Sequence, residues 1–391
     1  MLLLLVPVGL VTIIGLITLW PDGEPTRAQE AASIAAPPGT TYPDARIVSV
    51  EPFECGIDQS GPQQTCANAV VEILEGQGAG EFQQVELPPE VVAAGVSEGD
   101  TLVLTRDGGA EGGAVYQFFD YARDLPIIAL ALAFALVVGL VARLRGLASL
   151  VGLAFAFFIL LQFLLPGLLA QESPTLVSLV GSAAIMFVVL YLAHGFSART
   201  TTALVGTLFG LTLVAVLGSV AVSVARLTGL SSEETVRLQL YDPTLDFSGL
   251  VLAGIVVAGL GVLNDVTITQ ASAIWQLHEL SPDITWRELY NRGMTVGRDH
   301  IASTVYTIVF AYAGAALPAL LIFELSSRPL WTTVTSALAE EVVRTLVGAI
   351  ALVLAVPVTT AAGAFFAKAA GTGAGAATER RMTALKARFA R

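Results

Sequence analysis

Residues 254–275 read GIVVAGLGVLNDVTITQASAIW, an apolar run that is interrupted by an adjacent amide and carboxylate, Asn264 and Asp265. A helix needs about 20 mostly apolar residues to cross the hydrocarbon core of a lipid bilayer, and seven further segments of this kind occur along the chain. The sequence therefore predicts a polytopic α-helical membrane protein with about eight spans. The predicted spans are 2–20, 126–142, 147–165, 175–193, 201–225, 249–271, 301–323 and 342–366.

The composition agrees with that class and excludes others. Hydrophobic residues make up 54% of the 391 residues and charged residues only 13%. This is about half the charged share of a soluble domain, which excludes a purely soluble or a disordered chain. The 2 cysteines and 3 histidines are too few for an iron–sulfur cluster or a usual structural zinc site. We therefore expect no metal and no cofactor, and the net charge of −12 argues against a nucleic-acid partner.

Basic residues predict the orientation of the chain, because cytoplasmic loops are enriched in lysine and arginine. With the N-terminus inside, twelve Lys and Arg face the cytoplasm, six of them in a basic tail over 367–391, and seven face the outside. This predicts a protein of the bacterial cytoplasmic membrane with both termini in the cytoplasm and residues 21–125 outside. Residues 1–20 lack a basic start and a clear cleavage site, so we expect an uncleaved anchor. A start upstream of Met1 is the alternative, since no charge precedes the apolar run.

The stretch between the first two predicted spans has two parts. Residues 21–44 are rich in Ala, Pro, Thr and Glu and are typical of a linker. Residues 45–122 contain short runs with β-branched residues between Gly and Pro, which predicts a small β-domain, and their spacing favours a five-stranded, OB-like barrel. Residues 21–125 carry 18 Asp or Glu against four Arg, typical of a solvated surface or alternatively of one that collects cations. The strand-like runs are 46–50, 69–74, 81–87 and 101–105.

Cys55 and Cys66 are the two cysteines of the chain, and both lie in the predicted outer domain. Because that compartment is oxidising, we expect a disulfide between them. Such a bond stabilises by roughly 2–3 kcal/mol in the chain-entropy model. A two-cysteine metal site is the alternative, and no neighbouring histidine supports it.

Ionisable residues inside a membrane are costly unless they are paired or hydrated, so each is a candidate for function. Asn264 and Asp265 lie in the cytoplasmic half of the sixth predicted span, and Arg298, Asp299 and His300 begin the seventh on the same side. Loss of water favours the protonated form of Asp265 and a nearby arginine favours the ionised form. Together these effects predict a carboxyl that exchanges a proton near neutral pH. The alternatives are a fixed ion pair with Arg298, a position at the inner interface, or contact with a substrate; Arg298, Asp299 and His300 alternatively mark the interface.

A second charged group, Glu340, Glu341 and Arg344, lies at the outer end of the eighth predicted span. Glu340 and Arg344 are four residues apart and share a helix face, which predicts an ion pair. The group is either an interfacial salt bridge or an outer gate where cations enter.

Two motifs of energy-coupled and hydrolytic enzymes are absent from the sequence. It has no G-x-x-x-x-G-K-[ST] and no H-E-x-x-H. Its two lysines, Lys368 and Lys386, lie in the tail, which excludes a Ser/Lys dyad within the membrane. We therefore expect that the protein is not an enzyme and that any work is driven by an ion gradient or by a partner protein.

Four segments of the chain resemble the YibE/F family of bacterial membrane proteins. They are HGFSARTTTALVGTLFG (194–210), GVLNDVTITQASAIWQL (261–277), NRGMTVGRDHIASTVYTIVFAYAGAALPALLIF (291–323) and EEVVRTLVGAIALVLAVPVT (340–359). The resemblance covers roughly residues 115–370 and implies a multi-pass membrane protein without naming an activity.

A shorter likeness is to the protein-export factor SecDF of the RND superfamily. It is carried by the order Asn264-Asp265, the stretch 274–296, Arg298 and the threonines Thr304 and Thr307. This likeness implies proton-driven motion of the outer domain. The chain departs from it, because seven spans are predicted after the domain instead of five, and Asp265 lies off the centre of its span.

These observations favour a seven-helix membrane domain over 126–366 that acts as an ion-gradient-coupled transporter or export-type factor. Asp265 is then the proton or cation site, with Asn264 as its hydrogen-bond partner and Arg298 tuning its charge, and Asp299 and His300 relay protons to the cytoplasm.

The alternative is a non-catalytic membrane scaffold whose outer domain binds another envelope protein. Water access to Asp265 favours the transporter, whereas a dry, paired Asp265 or an apolar patch on the outer domain favours the scaffold. The sequence leaves the substrate and the oligomeric state open.

Overall fold

The computed structural model describes residues 2–35, 39–55, 64–108, 113–325, 329–336 and 338–370. It is mostly helical and carries one separate antiparallel sheet. The chain divides into two compact units. One consists of Met1–Thr26 and Val138–Arg391, begins with helix α1 (Leu2–Thr18), and is called the helical unit below; the other, Arg27–Val137, is called the β-unit.

The β-unit begins with helix α2 (Arg27–Ala35), which forms within the segment predicted as a linker. Its strands and its second helix are β1 (Asp44–Glu54), β2 (Thr65–Ile73), β3 (Phe82–Leu87), α3 (Pro89–Ala93), β4 (Thr101–Gly108) and β5 (Ala114–Tyr121). The five strands form one antiparallel sheet in the order β3-β2-β1-β4-β5. The two outermost strands, β3 and β5, also approach each other, so the sheet is strongly curved.

Alternating side chains give this sheet its core. In β1, Ala45 and Ile47 are buried while Arg46 and Val48 are exposed, as expected when successive side chains point to opposite faces. The structure has strands at all four of the predicted runs. Strand β5 lies outside those runs, because its exposed face carries apolar residues, including Phe119, and hydrophobicity therefore does not alternate along it.

The predicted disulfide is confirmed, since Cys55 and Cys66 are bonded with their Cα atoms 5.6 Å apart. Cys66 lies in β2 opposite Phe53 of β1, and Cys55 follows directly after β1. The bond therefore joins the two strands at the end of their shared hydrogen-bond ladder.

From Asp124 onward the chain is helical. Side-chain oxygens of Ser197, Asp246 and Thr285 accept the backbone N–H three residues further on and so fix the starts of three helices. The elements are α4 (Asp124–Ile159), a π-helical turn (Leu160–Leu164), α5 (Leu165–Leu169), α6 (Pro174–His194), α7 (Ala198–Val224), α8 (Glu233–Tyr241), α9 (Phe247–Leu280), α10 (Trp286–Ala315), α11 (Leu317–Leu325), α12 (Leu330–Val334) and α13 (Ala339–Ala370).

Within the described part of the chain, 5 segments are long and apolar enough to cross a membrane, which supports a membrane-embedded protein. The predicted count of eight spans is not confirmed by this number. The apolar part of α1, Leu5–Thr18, is shorter than a full span, and the predicted span 301–323 is divided between α10 and α11. The 5 segments are Asp124–Leu169, Pro174–His194, Ala198–Val224, Phe247–Leu280 and Ala339–Ala369.

The first of these segments folds back on itself near Arg143, whose backbone has φ 54° and ψ −138°. The carbonyl oxygen of Val138 lies 2.5 Å from the position that a Cβ atom on Gly146 would occupy. Residues eight apart in a continuous helix are instead about 12 Å apart. The segment therefore has two helical arms, which correspond to the predicted spans 126–142 and 147–165, and only glycine fits at position 146.

Glycines hold the helical unit together where α7, α9 and α13 meet. A Cβ atom on Gly210 of α7 would lie 2.5 Å from Leu263 of α9, and Gly206 leaves room for Thr359 of α13. Since lipid tails are as apolar as leucine, membrane helices associate through close packing of this kind more than through hydrophobic drive.

Candidate functional site

Helices α9 and α10 run antiparallel and bring Asp265 to His300. Gly297 of α10 packs against Gln270 of α9, with a Cβ position only 3.2 Å from the amide group, so glycine leaves the space that this amide fills. About one turn further along, Asp265 Oδ2 lies 4.0 Å from His300 Nε2. This distance allows attraction when the imidazole is protonated, but it is too long for a hydrogen bond.

Asp265 lies on the outward side of α9, with 70% of its side chain exposed against 26% for His300. At about 1.5 Å per residue, it stands about 27 Å from the helix start at Phe247 and about 22 Å from the end at Leu280. A carboxylate left in lipid at the centre of a span costs about 2.5–3.5 kcal/mol on insertion scales. The position therefore requires a polar surrounding, and within the described residues its ionic partner is His300.

Two buried polar atoms beside Asp265 have no hydrogen-bond partner within the described residues: Asn264 Oδ1 and His300 Nε2. A buried polar atom that lacks a partner costs about 1–3 kcal/mol. The imidazole nitrogen is therefore available to a proton or to a polar group, and the amide oxygen is available to a hydrogen-bond donor. Asn264, Asp265 and His300 together are called the α9–α10 site below.

Arg298 and Asp299 do not join the α9–α10 site. Successive side chains turn by about 100° around a helix. When Gly297 faces α9, Arg298 and Asp299 therefore point away from α9, whereas His300 points back towards it. Both residues are exposed, and neither forms an ion pair in the part of the chain that the structure describes. The contact with His300 therefore replaces the anticipated pairing of Asp265 with Arg298.

A second set of polar residues, which sequence reasoning gave no role, is buried on a different face of α9. Gln270 is 1% exposed, and its Nε2 donates to the carbonyl oxygen of Gly293 at 2.9 Å and to Thr360 Oγ1 at 2.7 Å. The hydroxyls of Thr207 and Thr267 share a hydrogen bond of 2.6 Å. These groups, called the polar seam, connect α7, α9, α10 and α13 to one another. The signal in the sequence is the three-residue spacing of Thr267 and Gln270, which places them on one helix face.

The second predicted charged group forms a different pair from the predicted one. Arg344 Nη1 donates to Glu341 Oε1 at 2.7 Å, with side chains 24% and 39% exposed, and Glu340 forms no ion pair among the described residues. Arg344 points towards Gly254 of α9, with Nη2 3.7 Å from that glycine's Cβ position. Gly254 and Asp265 are eleven residues apart, or about 16 Å along the helix. The two predicted charged groups are therefore separate sites at different levels of α9.

A cavity of about 450 Å³ lies where α6, α7 and α9 begin or end, away from the α9–α10 site. Its polar lining includes Thr175, Ser223, Arg226 and Asp246. Asp246 is already engaged, because its carboxylate accepts the N–H of Gly249 at 2.8 Å. The described residues contain no group of three or more His, Cys, Asp or Glu that could hold a metal ion.

Comparison with known proteins gives one match. The family model for YibE/F-like protein matches residues 130–369, which is more than half of the 391 residues. The matched stretch contains the α9–α10 site, the polar seam and the Glu341–Arg344 pair. The resemblance to this family is therefore confirmed. Searches of curated protein sequences and of solved structures give no match.

Proposed function

The chain belongs to the YibE/F-like protein family, and we propose that it is an ion-gradient-coupled transporter or export-type factor that exchanges protons at Asp265. The observation that carries the proposal is the carboxylate itself. It lies far from both ends of a membrane-length helix, its side chain is 70% exposed, and its ionic partner stands 4.0 Å away without a hydrogen bond. A purely structural ion pair favours a direct, hydrogen-bonded contact, whereas a carboxylate without such a contact can accept a proton.

Protonation changes the attraction between α9 and α10. Two unit charges 4 Å apart attract by about 1 kcal/mol in water and by about 4 kcal/mol at an effective dielectric constant of 20. A proton on Asp265 removes this attraction, and a proton on His300 creates it. Because about 1.4 kcal/mol changes an equilibrium tenfold, either event is large enough to shift α10 between two arrangements. Asn264 is the hydrogen-bond partner of the carboxyl, Arg298 tunes its charge, and His300 passes the proton to the cytoplasm; no enzymatic step is involved.

We also propose eight spans in a bacterial cytoplasmic membrane, with both termini in the cytoplasm and residues 21–125 outside. The turn at Arg143 supports two spans in place of one, and the Cys55–Cys66 disulfide supports an oxidising compartment for the β-unit. The Glu341–Arg344 pair then lies near the outer face, where it acts as the gate.

The β-unit is proposed to be an OB-like barrel. Its strand order, β3-β2-β1-β4-β5 with β3 close to β5, supports a nearly closed sheet, and α3 lies in the connection between β3 and β4. In a transporter, this domain contacts the substrate or a partner.

Spin-label distances test the proposed coupling. Labels at Val216→Cys on α7 and Tyr306→Cys on α10 occupy exposed positions, and the native cysteines are bonded to each other. In lipid vesicles we expect the distance distribution to differ between about pH 5 and about pH 8. Asp265→Asn should abolish the difference, whereas the matched control Asp299→Asn should keep it. An unchanged distribution in the unsubstituted protein, or an equal change in Asp265→Asn, contradicts the proposal.

A second candidate function, the membrane scaffold, is favoured by one observation on the β-unit. Tyr42 and Phe119 are 55% and 57% exposed, and their rings contact each other at a tilt of 60° with centroids 5.1 Å apart. An exposed aromatic pair on an acidic domain is a suitable contact for another envelope protein. If this is the function, Tyr42→Ala/Phe119→Ala should remove a stoichiometric partner from the purified complex, and Asp265→Asn should leave that partner bound.

A further inference from the structure

The face of α9 that carries Asp265 is left uncovered by the rest of the described chain. Gly261, Asp265 and Thr269 follow one another at four-residue intervals, share this face and are all exposed. No atom lies within 4 Å of the Cβ position of Gly261. In contrast, Gly259 and Leu263, on the other side of the same helix, pack against α7.

Lipid is a poor neighbour for this face. It joins a charged side chain to a glycine and a threonine, whereas surfaces that meet acyl chains are apolar throughout. Small residues let the backbone of another helix approach, and polar groups then bond across the contact. The face is therefore suited to a second membrane helix that brings a positive charge.

The same chain offers that charge. Arg298 is exposed on α10, about level with Asp265 in the antiparallel pair, and makes no ion pair within the residues that the structure describes. One copy thus presents an acid and a base that do not meet each other. In a two-fold dimer the same surface of each copy faces that surface of the other copy. Both Arg298–Asp265 pairs therefore form at once.

We propose that two copies of this chain pack face to face along Gly261, Asp265 and Thr269 of α9, and that Arg298 of one copy approaches Asp265 of the other. The inference rests on the proposed function in one respect, because the second copy supplies the charge that tunes the proton site. The observation behind the dimer itself is the uncovered face of α9.

Cysteine crosslinking in lipid tests the dimer. Gly261→Cys places a thiol in open space, and Thr269→Cys is a second variant on the same face. The control, Val216→Cys, exposes a thiol on α7. Oxidation of vesicles that hold the protein at low density should give a covalent dimer several-fold more abundant for both α9 variants than for the control. Arg298→Gln should lower that yield several-fold.

Each outcome decides one claim. Equal crosslinking at Val216 and at both α9 positions overturns the dimer, as does a single-copy particle in photobleaching counts of the unsubstituted protein in vesicles. A crosslinked dimer in which Asp265 shows no pH-dependent carboxyl signal supports the dimer and overturns the proposed function. A pH-dependent signal in a single-copy particle supports the proposed function and overturns the dimer.

Discussion

In the β-unit, Ile47, Leu102 and Leu104 fill a core between the strands, whereas in the helical unit Gly206 and Gly210 let α7 approach α9 and α13. Water drives large apolar side chains into the interior of a domain that it surrounds, but lipid supplies no such drive between helices. Large side chains therefore form the core of the β-unit, whereas the helical unit adds close backbone contacts at glycines to buried large side chains such as Leu204 and Leu211. Substitutions that add or remove volume should act differently in the two units.

The largest expected effect is the loss of a large side chain in the β-unit. Leu104→Ala should destabilise it by about 3 kcal/mol, because burial is lost and a cavity remains. Hydrogen exchange of peptides from β1 to β5 in the full-length protein measures this change. Val48→Ala, at an exposed position of the same sheet, is the control and should have little effect. Similar exchange in both variants contradicts the assigned core.

The disulfide should contribute only to the β-unit. Cys55→Ser/Cys66→Ser removes a link between residues 11 apart, and roughly 2–3 kcal/mol should be lost as the unfolded chain gains freedom. The same hydrogen-exchange experiment should show faster exchange in β1 and β2 and unchanged exchange in α7 and α9. Faster exchange in those helices would show that the two units unfold together.

Added volume should destabilise the helical unit. Gly210→Val introduces a side chain where Cβ alone meets Leu263 at 2.5 Å, so we expect a loss of about 1–3 kcal/mol. Gly348→Val adds the same side chain to α13 at a position with no atom within 4 Å, and it should be tolerated. The thermal midpoint of each variant in detergent measures the difference, and equal midpoints would rule out tight packing at Gly210.

The smallest effect concerns charge at the start of β1. Burial, with the nearby carboxylates of Glu75 and Asp124, raises the pKa of Asp44 above its ordinary 3.8. Stability from this group is therefore present at low pH and is lost as the pH rises through the raised pKa. Asp44→Asn should raise the thermal midpoint of the β-unit slightly near pH 7 and leave it unchanged near pH 3.

The contribution of Asp120 to stability depends on pH in the opposite direction. A hydrogen bond from Arg123 lowers the pKa of Asp120, so its contribution is present near neutral pH and is lost as the pH falls. Asp120→Asn should lower the midpoint near pH 7. A lowered midpoint near pH 7 in Asp44→Asn as well would mean that the surroundings of Asp44 do not disfavour its charge.

The sequence predicted the general fold because its signals are local. Apolar runs, β-branched runs and the two cysteines each report on nearby residues, and they correctly indicated membrane helices, a small β-domain and the Cys55–Cys66 bond. The division of 301–323 at Ala316 was missed, because that segment is apolar on both sides of the break. The fifth strand was expected in number but was not located, because its exposed face is itself apolar.

The site was predicted less well, since it depends on how helices meet. Asn264, Asp265 and His300 were selected by their charge or polarity within apolar runs, but their pairing follows from the contact of Gly297 with α9. Charge alone favoured Arg298 over His300 as the partner of Asp265. Spacing alone favoured Glu340 over Glu341 as the partner of Arg344. Gln270 received no role, because its burial between three helices depends on how α9, α10 and α13 meet.

The central claim is that Asp265 exchanges protons with water, and infrared difference spectroscopy of the protein in lipid tests it most directly. The pH is stepped between about 5 and 9, with Asp265→Asn and Asp299→Asn as paired variants. We expect a protonated-carboxyl band that changes with pH, persists in Asp299→Asn and is absent from Asp265→Asn. A spectrum without such a band, or with one that survives in Asp265→Asn, would contradict the claim and leave Asp265 as a fixed surface charge.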